Sequence, residues 1–241
     1  MHEDARADAL TTRTKFSYGL GALGKDFACS IVYLFLMYYY TDVAGVPAAF
    51  VGTLFLVVRM IDAVSDPVMG MIVDNTRSRF GKFRPWIVLG TVVNSLALLA
   101  LFSAHLFSGS QLLLFVTVTY IVWGLTYTIM DIPFWSMVPA LSAHREERER
   151  LVVWPRLFAS IAWTVVGTYG LATIAVLGKG DDGKGFLLLC GLIIIAFIAA
   201  ALVTFTQVKE QVATQTTSER FSFGDVISIL RNNDQLASLI G

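Results

Sequence analysis

Charge is scarce in this sequence. Only 15% of its 241 residues are Asp, Glu, Lys or Arg, whereas soluble proteins carry about a quarter. A soluble globular enzyme is therefore a poor fit. Neither sign is in excess: 18 Lys and Arg balance 18 Asp and Glu, so the composition gives no argument for nucleic-acid binding. Cysteine is nearly missing. Cys29 and Cys190 both lie in apolar runs, which gives neither a disulfide framework nor metal-ligand spacing. The opening residues MHEDARADALTTRTK are polar and mixed in charge. They lack the short apolar core and cleavage site of a secretory leader.

What fills the chain instead is apolar: 56% of residues are hydrophobic. A membrane-spanning helix needs about 20 mostly apolar residues. Six stretches qualify, roughly 16–42, 48–74, 86–107, 112–138, 152–177 and 185–207. Short breaks with turn chemistry separate them: AGVP, the SRFGKFRP run, SGSQ, HREERERL and GKGDDGKG. With no water in a bilayer to satisfy free backbone groups, these segments are expected to be helices. The fold class is all-α membrane protein, with the lipid bilayer as its surroundings.

Basic residues set the expected orientation. Arg6, Arg13 and Lys15 lie in the tail, Arg77, Arg79, Lys82 and Arg84 in the second break, and Arg145, Arg148 and Arg150 in the fourth. The first and third breaks have none, and Lys179 and Lys184 in the fifth are offset by Asp181 and Asp182. Lys and Arg accumulate on the cytoplasmic side, so both ends of the six-helix region are expected inside. Tyr38, Tyr39 and Tyr40 then fall at the outer interface, where an aromatic belt is expected. The domain reading is a cytoplasmic tail over 1–15, a six-helix domain over 16–207, and a different region over 208–241. The last begins with a polar linker. FSFGDVISIL then puts Phe223, Val226, Ile227 and Leu230 on one face of a short interfacial helix. The closing LASLIG reads as the start of a seventh span, which makes the sequence half of something longer.

The informative residues are charges inside the apolar runs: Lys25, Asp26, Arg59, Asp62, Asp66 and Asp131. Insertion scales put one such charge at roughly 2.5–3.5 kcal/mol at mid-helix, so four carboxylates nominally cost on the order of 10 kcal/mol. Intramembrane charges face cavities, pair with each other and mark ion or substrate paths. Asp26 lies about 15 Å into the first span, near the midplane. With Ser30 and Tyr33 it forms one polar stripe, and Lys25 points a quarter-turn away, toward a carboxylate on another helix. Arg59, Asp62 and Asp66 share one face of the second span, with two carboxylates a turn apart. Hard oxygen donors so placed suit a small cation such as Na⁺, or a proton. A buried ion-pair network with Arg59 and no transported ion is the alternative. In the fourth span Tyr127, Asp131 and Trp135 recur at i, i+4 and i+8. A carboxylate accepts hydrogen bonds from sugar hydroxyls, and an indole face suits the C–H face of a pyranose.

Other features carry less. GLGALG, from Gly19 to Gly24, matches G-x-G-x-x-G but lacks the preceding strand that a dinucleotide fingerprint needs. Close helix packing by small residues explains it. His105 and Trp123 read as structural, and Arg156 reads either as snorkelling to the interface or as projecting into a cavity. Pro67, Pro133 and Pro139 are expected to interrupt the helix ladder beside the acidic stripes. Spans one to three and four to six suggest a 3+3 inverted repeat, with Asp26 and Asp131 in equivalent helices.

The runs KFSYGLGALGKDFA, YLFLMYYYTDVAG, GTLFLVVRMIDAVSDPVMG, TRSRFGKFRPW and TYTIMDIPFWSMVP closely resemble the glycoside–pentoside–hexuronide cation symporters of the major facilitator superfamily. Gly70, Asp74, Arg77 and Arg79 also resemble that superfamily's loop motif after its second helix. The resemblance implies a six-helix N-terminal bundle of a twelve-helix inner-membrane carrier. It implies symport of a galactoside such as melibiose with Na⁺, Li⁺ or H⁺, and no enzymatic reaction or resident cofactor. On that resemblance Asp26 and Asp131 bind galactosyl hydroxyls, Trp135 stacks on the ring, and Arg156, Lys25 and Tyr127 complete the sugar site. Asp62 and Asp66 hold the coupling cation with Thr128 and Ser65 beside them. Ser65 stands where the galactoside carriers usually have Asn, which leaves Na⁺ and H⁺ both open. The C-terminal half, which closes the pocket and supplies a cation-site lysine, is not in these 241 residues. A glucuronide or xyloside symporter, and a non-transporting sensor or assembly subunit, are the competing readings. An intramembrane aspartyl protease lacks its G-x-G-D motif.

Overall fold

The structure is a computed structural model that describes residues 10–210. The expected interfacial helix around Phe223–Leu230 and the start of a seventh span lie outside these residues, as does most of the tail. Six helices are long and apolar enough to cross a membrane, and the described residues contain no strand. They are α1 (Thr12–Tyr38), α2 (Ala48–Asp74), α3 (Arg84–Leu101), α4 (Gly109–Ser136), α5 (Arg145–Gly178) and α6 (Asp182–Gln207). Short irregular elements finish three of the turns. A π-helical turn over Tyr39–Val43 follows α1, a 3₁₀ turn over Ala104–Leu106 follows α3, and a single turn over Val138–Leu141 follows α4.

Two boundaries differ from the hydropathy reading. Helix α5 begins at Arg145 with His144 as its N-cap, so REERERL is helical and not a loop. Its charged first turns are held by an Arg145–Glu149 pair of 2.8 Å at i, i+4. At 34 residues the helix is about 51 Å long by the 1.5 Å rise per residue, well beyond a ~30 Å hydrocarbon core. Secondly, α2 and α4 run unbroken through Pro67 and Pro133. Proline removes one intrahelical hydrogen bond, and the neighbouring helix turns absorb that loss. Only Pro139 coincides with a break, at the start of the one-turn helix, where its missing N–H costs nothing.

Helix α1 runs through the centre and packs on α5 and α6. Helix α3 packs on α4 and α6, whereas α2 leans chiefly on α4. Exchanging helices one to three with four to six maps the α1/α5 contact onto α4/α2 and the α1/α6 contact onto α4/α3, the pattern of an inverted repeat. The glycines of GLGALG make the α1 contacts close. A Cβ on Gly24 would sit 2.5 Å from Ala200 Cβ of α6, and one on Gly19 would sit 2.9 Å from the Phe158 ring of α5. The segment packs helices together.

The two ends of the bundle are distinct. At one end Glu147 binds Lys15 Nζ at 2.6 Å and accepts from the Leu10 N–H at 3.1 Å. At the same end Glu210 accepts from the Lys82 and Phe83 backbone N–H groups at 2.8 and 3.0 Å. Gly81 permits this approach. Its φ is +102°, and a Cβ there would run into the Glu210 carboxylate. The tail, the second and fourth breaks and the segment after α6 therefore share one end. At the opposite end the Tyr38 hydroxyl donates to Asp182 at 3.1 Å, and Tyr39 meets His105 Nδ1 at 2.8 Å. The tyrosine triplet is not a belt. Tyr39 and Tyr40 are fully buried, and only Tyr38, 39% exposed, lies at the surface. Successive helical residues point about 100° apart, so three in a row cannot all face lipid.

Candidate functional site

Lys25 and Asp26 are adjacent on α1, and both are buried. The Lys25 ammonium lies 3.2 Å from Asp26 Oδ2 and 2.8 Å from Asp131 Oδ1 of α4. It also donates to the Tyr127 hydroxyl at 3.4 Å. One cation thus bridges carboxylates from two helices. Three rings surround the ammonium, those of Tyr127, Phe134 and Trp135, with centroids 5.4–5.8 Å away, close enough for cation–π attraction. Below this cluster the Tyr18 hydroxyl donates to the Phe134 carbonyl at 2.6 Å, and their rings stack at 4.5 Å, fixing α1 against α4.

The second charged group spans α2 and α4. Thr128 donates to Asp66 Oδ1 at 2.9 Å, and Arg59 lies 3.2 Å from Asp62 Oδ2. The Arg59 guanidinium also donates to the Tyr33 hydroxyl of α1 and lies over that ring, 5.1 Å from its centroid. Gly124 lets the helices approach. A Cβ there would be 3.1 Å from Val58 Cγ1 and 3.4 Å from Asp62 Oδ1.

One cavity of about 380 Å³, within the range of small-molecule sites, takes in the acids of the second group and reaches the first through Tyr127 and Asp131, while Lys25 and Asp26 lie outside its lining. Asp62, Asp66 and Thr128 line it beside Tyr127, Asp131 and Trp163. Its walls include unsatisfied groups: Asp62 Oδ1 and the Trp123 indole Nε1 are buried with no hydrogen-bond partner among the described residues. Left unpaired, such buried groups cost free energy.

Of the residues singled out in the sequence, Asp26, Lys25, Tyr127 and Asp131 form the first group, and Asp62, Asp66 and Thr128 belong to the second. Trp135 packs beside Lys25, outside the cavity lining. Ser65 turns its hydroxyl back toward the Asp62 carbonyl at 3.4 Å and lines a separate apolar groove along α2. Arg156 is exposed near the start of α5. Ser30 donates to the Phe27 carbonyl of its own helix. Five lining residues have no part in the sequence-based site: Cys29, Trp123, Gly124, Ile132 and Trp163. The Trp163 indole donates to Asp26 Oδ1 at 3.1 Å. Helical spacing carried the signal for it, because Trp163 lies seven residues from Arg156 on the same face of α5.

Residues 17–241 match the family described as MFS/sugar transport protein. An inner membrane symporter of Escherichia coli (strain K12) is 32% identical over 224 residues, covering 92% of this chain and 48% of that protein. The isoprimeverose transporter of Lactiplantibacillus pentosus is 31% identical over 91% of this chain and 46% of its own length. A lactose permease of Lactobacillus helveticus is 34% identical over 76% of this chain and 31% of its own length. The chain spans half or less of the length of these relatives.

Proposed function

Because the chain belongs to the MFS/sugar transport family, we propose that it forms the N-terminal six-helix half of a cation-coupled sugar symporter working by alternating access. Its substrate on this reading is a galactoside such as melibiose, carried with Na⁺, Li⁺ or H⁺ across a bacterial inner membrane. The observation that carries the proposal is one cavity lined both by Tyr127 and Asp131 and by Asp62, Asp66 and Thr128. Asp26 and Asp131 are acceptors for sugar hydroxyls, held by a shared lysine that offsets one of their two charges. Asp62 and Asp66, with Thr128, are the hard oxygen donors a small cation requires. A cation between two carboxylates relieves their mutual repulsion, so its binding and the sugar's are linked through one space. Similarity to a lactose permease favours a galactoside. Similarity to an isoprimeverose transporter is the observation that keeps a different glycoside as the second reading.

The Lys- and Arg-rich breaks share the end of the bundle that holds Glu147 and Glu210. The excess of basic residues assigns that end to the cytoplasm, and a reporter fused after Gly180 is expected to read periplasmic. The site is tested by Asp131→Ala in the complete carrier. Losing this acceptor leaves sugar hydroxyls unpaired in a buried cavity, so galactoside binding is expected to disappear at equal expression. Binding that survives unchanged removes Asp131 from the site.

A further inference from the structure

Asp26 and Asp62 belong to different groups of the proposed site, yet a continuous set of contacts joins them. Asp26 Oδ1 accepts from the Trp163 indole at 3.1 Å. The Trp163 ring lies against Tyr33, centroid to centroid 5.9 Å. Arg59 donates to the Tyr33 hydroxyl and pairs with Asp62 at 3.2 Å. Four helices contribute to this wall, because Trp123 of α4 also meets Tyr33, at 6.3 Å. We propose that Trp163 is a positioning residue that fixes Asp26 for the sugar and transmits the occupancy of the Asp62 region to it through Tyr33 and Arg59.

The chemistry of the indole suits that role. Asp26 has two anchors of different kinds. Lys25 is one, and it is shared with Asp131, so any movement of the ammonium toward Asp131 weakens its hold on Asp26. Trp163 is the other. Its N–H is a donor only and carries no titratable proton in the working range, so it holds Asp26 Oδ1 wherever Lys25 goes. A carboxylate offers about four lone-pair sites, so two anchors leave Asp26 with unused acceptor capacity beside the cavity that Trp163 and Asp131 line. The far side of the wall is set by Arg59, which has one carboxylate partner, Asp62, and two phenol partners, Tyr33 and Tyr120. A cation drawn to Asp62 competes with the guanidinium for the carboxylate. Arg59 then shifts its weight to Tyr33, and Tyr33 bears on the Trp163 ring. Packed rings convert such a shift into a small number of discrete arrangements.

The proposal rests on the sugar-and-cation reading of the cavity, and the experiment separates the two. The complete carrier is reconstituted in lipid vesicles. Binding of methyl and nitrophenyl glycosides of galactose, xylose and glucuronic acid is titrated with and without Na⁺ or Li⁺ and at two proton concentrations. Trp163→Phe keeps the ring and removes the N–H. Its expected result is sugar binding weakened by about tenfold, the worth of one hydrogen bond to a buried charge, with cation stimulation reduced toward none. Tyr33→Phe keeps the ring contact and removes the hydroxyl that Arg59 holds. It is expected to lower the ratio of sugar affinity with the cation to sugar affinity without it. A purely structural role for Trp163 weakens binding equally with and without cation and leaves the ratio alone; that result overturns the proposal. So does unchanged binding in Trp163→Phe while Asp131→Ala abolishes it, and in that case the site itself stands. If wild type binds none of the glycosides, or binds one with no cation effect, the underlying reading fails before any variant is compared, and the coupling path fails with it.

Discussion

Helices α1 and α2 are equally long, 27 residues each, and both carry charge at membrane depth, but they are built differently. Fifteen residues of α1 are buried and five of α2. Helix α1 has glycines where α5 and α6 press on it, and its Lys25 and Asp26 are enclosed and paired. Helix α2 leans mainly on α4, keeps an apolar face outward and turns Asp62 and Asp66 toward a cavity. Enclosure and openness divide the work. The charges proposed for the sugar are fixed in the packed centre of the bundle, where their geometry is over-determined. Those proposed for the cation lie on its most lightly held wall, where a ligand would change the balance of forces most readily.

The sharpest way to break this contrast is to remove the cation from each helix. Lys25→Met leaves the buried Asp26 and the part-buried Asp131 without their shared cation, and breaking a buried pair costs about 3–5 kcal/mol. Arg59→Met removes a half-exposed partner, and pairs of that kind are worth about 0–1 kcal/mol. Thermal unfolding in detergent is therefore expected to show a large loss for Lys25→Met and almost none for Arg59→Met. Equal losses would erase the distinction between the two helices.

Adding a methyl group is the next test, and here the signs should differ. Gly24→Ala pushes a Cβ into Ala200 and the Phe197 backbone, and such overpacking costs about 1–3 kcal/mol. Gly52→Ala in α2 meets nothing within 4 Å. Replacing an exposed helical glycine there is expected to gain about 0.5–1 kcal/mol. Unfolding midpoints measured side by side check both. The smallest pair is a hydroxyl on each helix. Tyr18→Phe deletes the bond to the Phe134 carbonyl and is expected to cost about 1 kcal/mol. Ser65→Ala removes only a long contact to its own helix and should leave both stability and cation preference unchanged. A change of preferred cation in Ser65→Ala would return Ser65 to the ion site.

The helices were legible in the sequence because six apolar runs admit no other structure in a bilayer. The exceptions have local causes. The charged start of α5 was invisible to hydropathy, since i, i+4 pairing continues a helix as well as apolar burial does. Tyr39 and Tyr40 turn inward as the first two residues of the π-helical turn that ends α1. The site's carboxylates stood out through the free-energy penalty of charge at membrane depth. Trp163, Trp123 and Cys29 carry no such penalty, so Trp123 and Cys29 looked like packing residues and only the seven-residue spacing from Arg156 pointed to Trp163. Which way Ser65 and Trp135 point depends on how α2 and α4 rotate against their neighbours, and that is decided by Gly124, Gly90 and the rings around Lys25.

The central claim is that a cation at Asp62 and Asp66 governs sugar binding at Asp26 and Asp131. The direct measurement is a galactoside titration of the complete carrier, wild type and Asp66→Asn, with and without Na⁺, alongside thermal unfolding. The account predicts that wild type binds sugar more tightly with the cation, and that sugar tightens cation binding by the same factor. Asp66→Asn should keep its fold and part of its sugar affinity but lose the stimulation. Stimulation that persists undiminished in Asp66→Asn, or a variant that only melts earlier while its cation response is intact, would contradict the account and leave these acids as structural partners of Arg59 and Thr128.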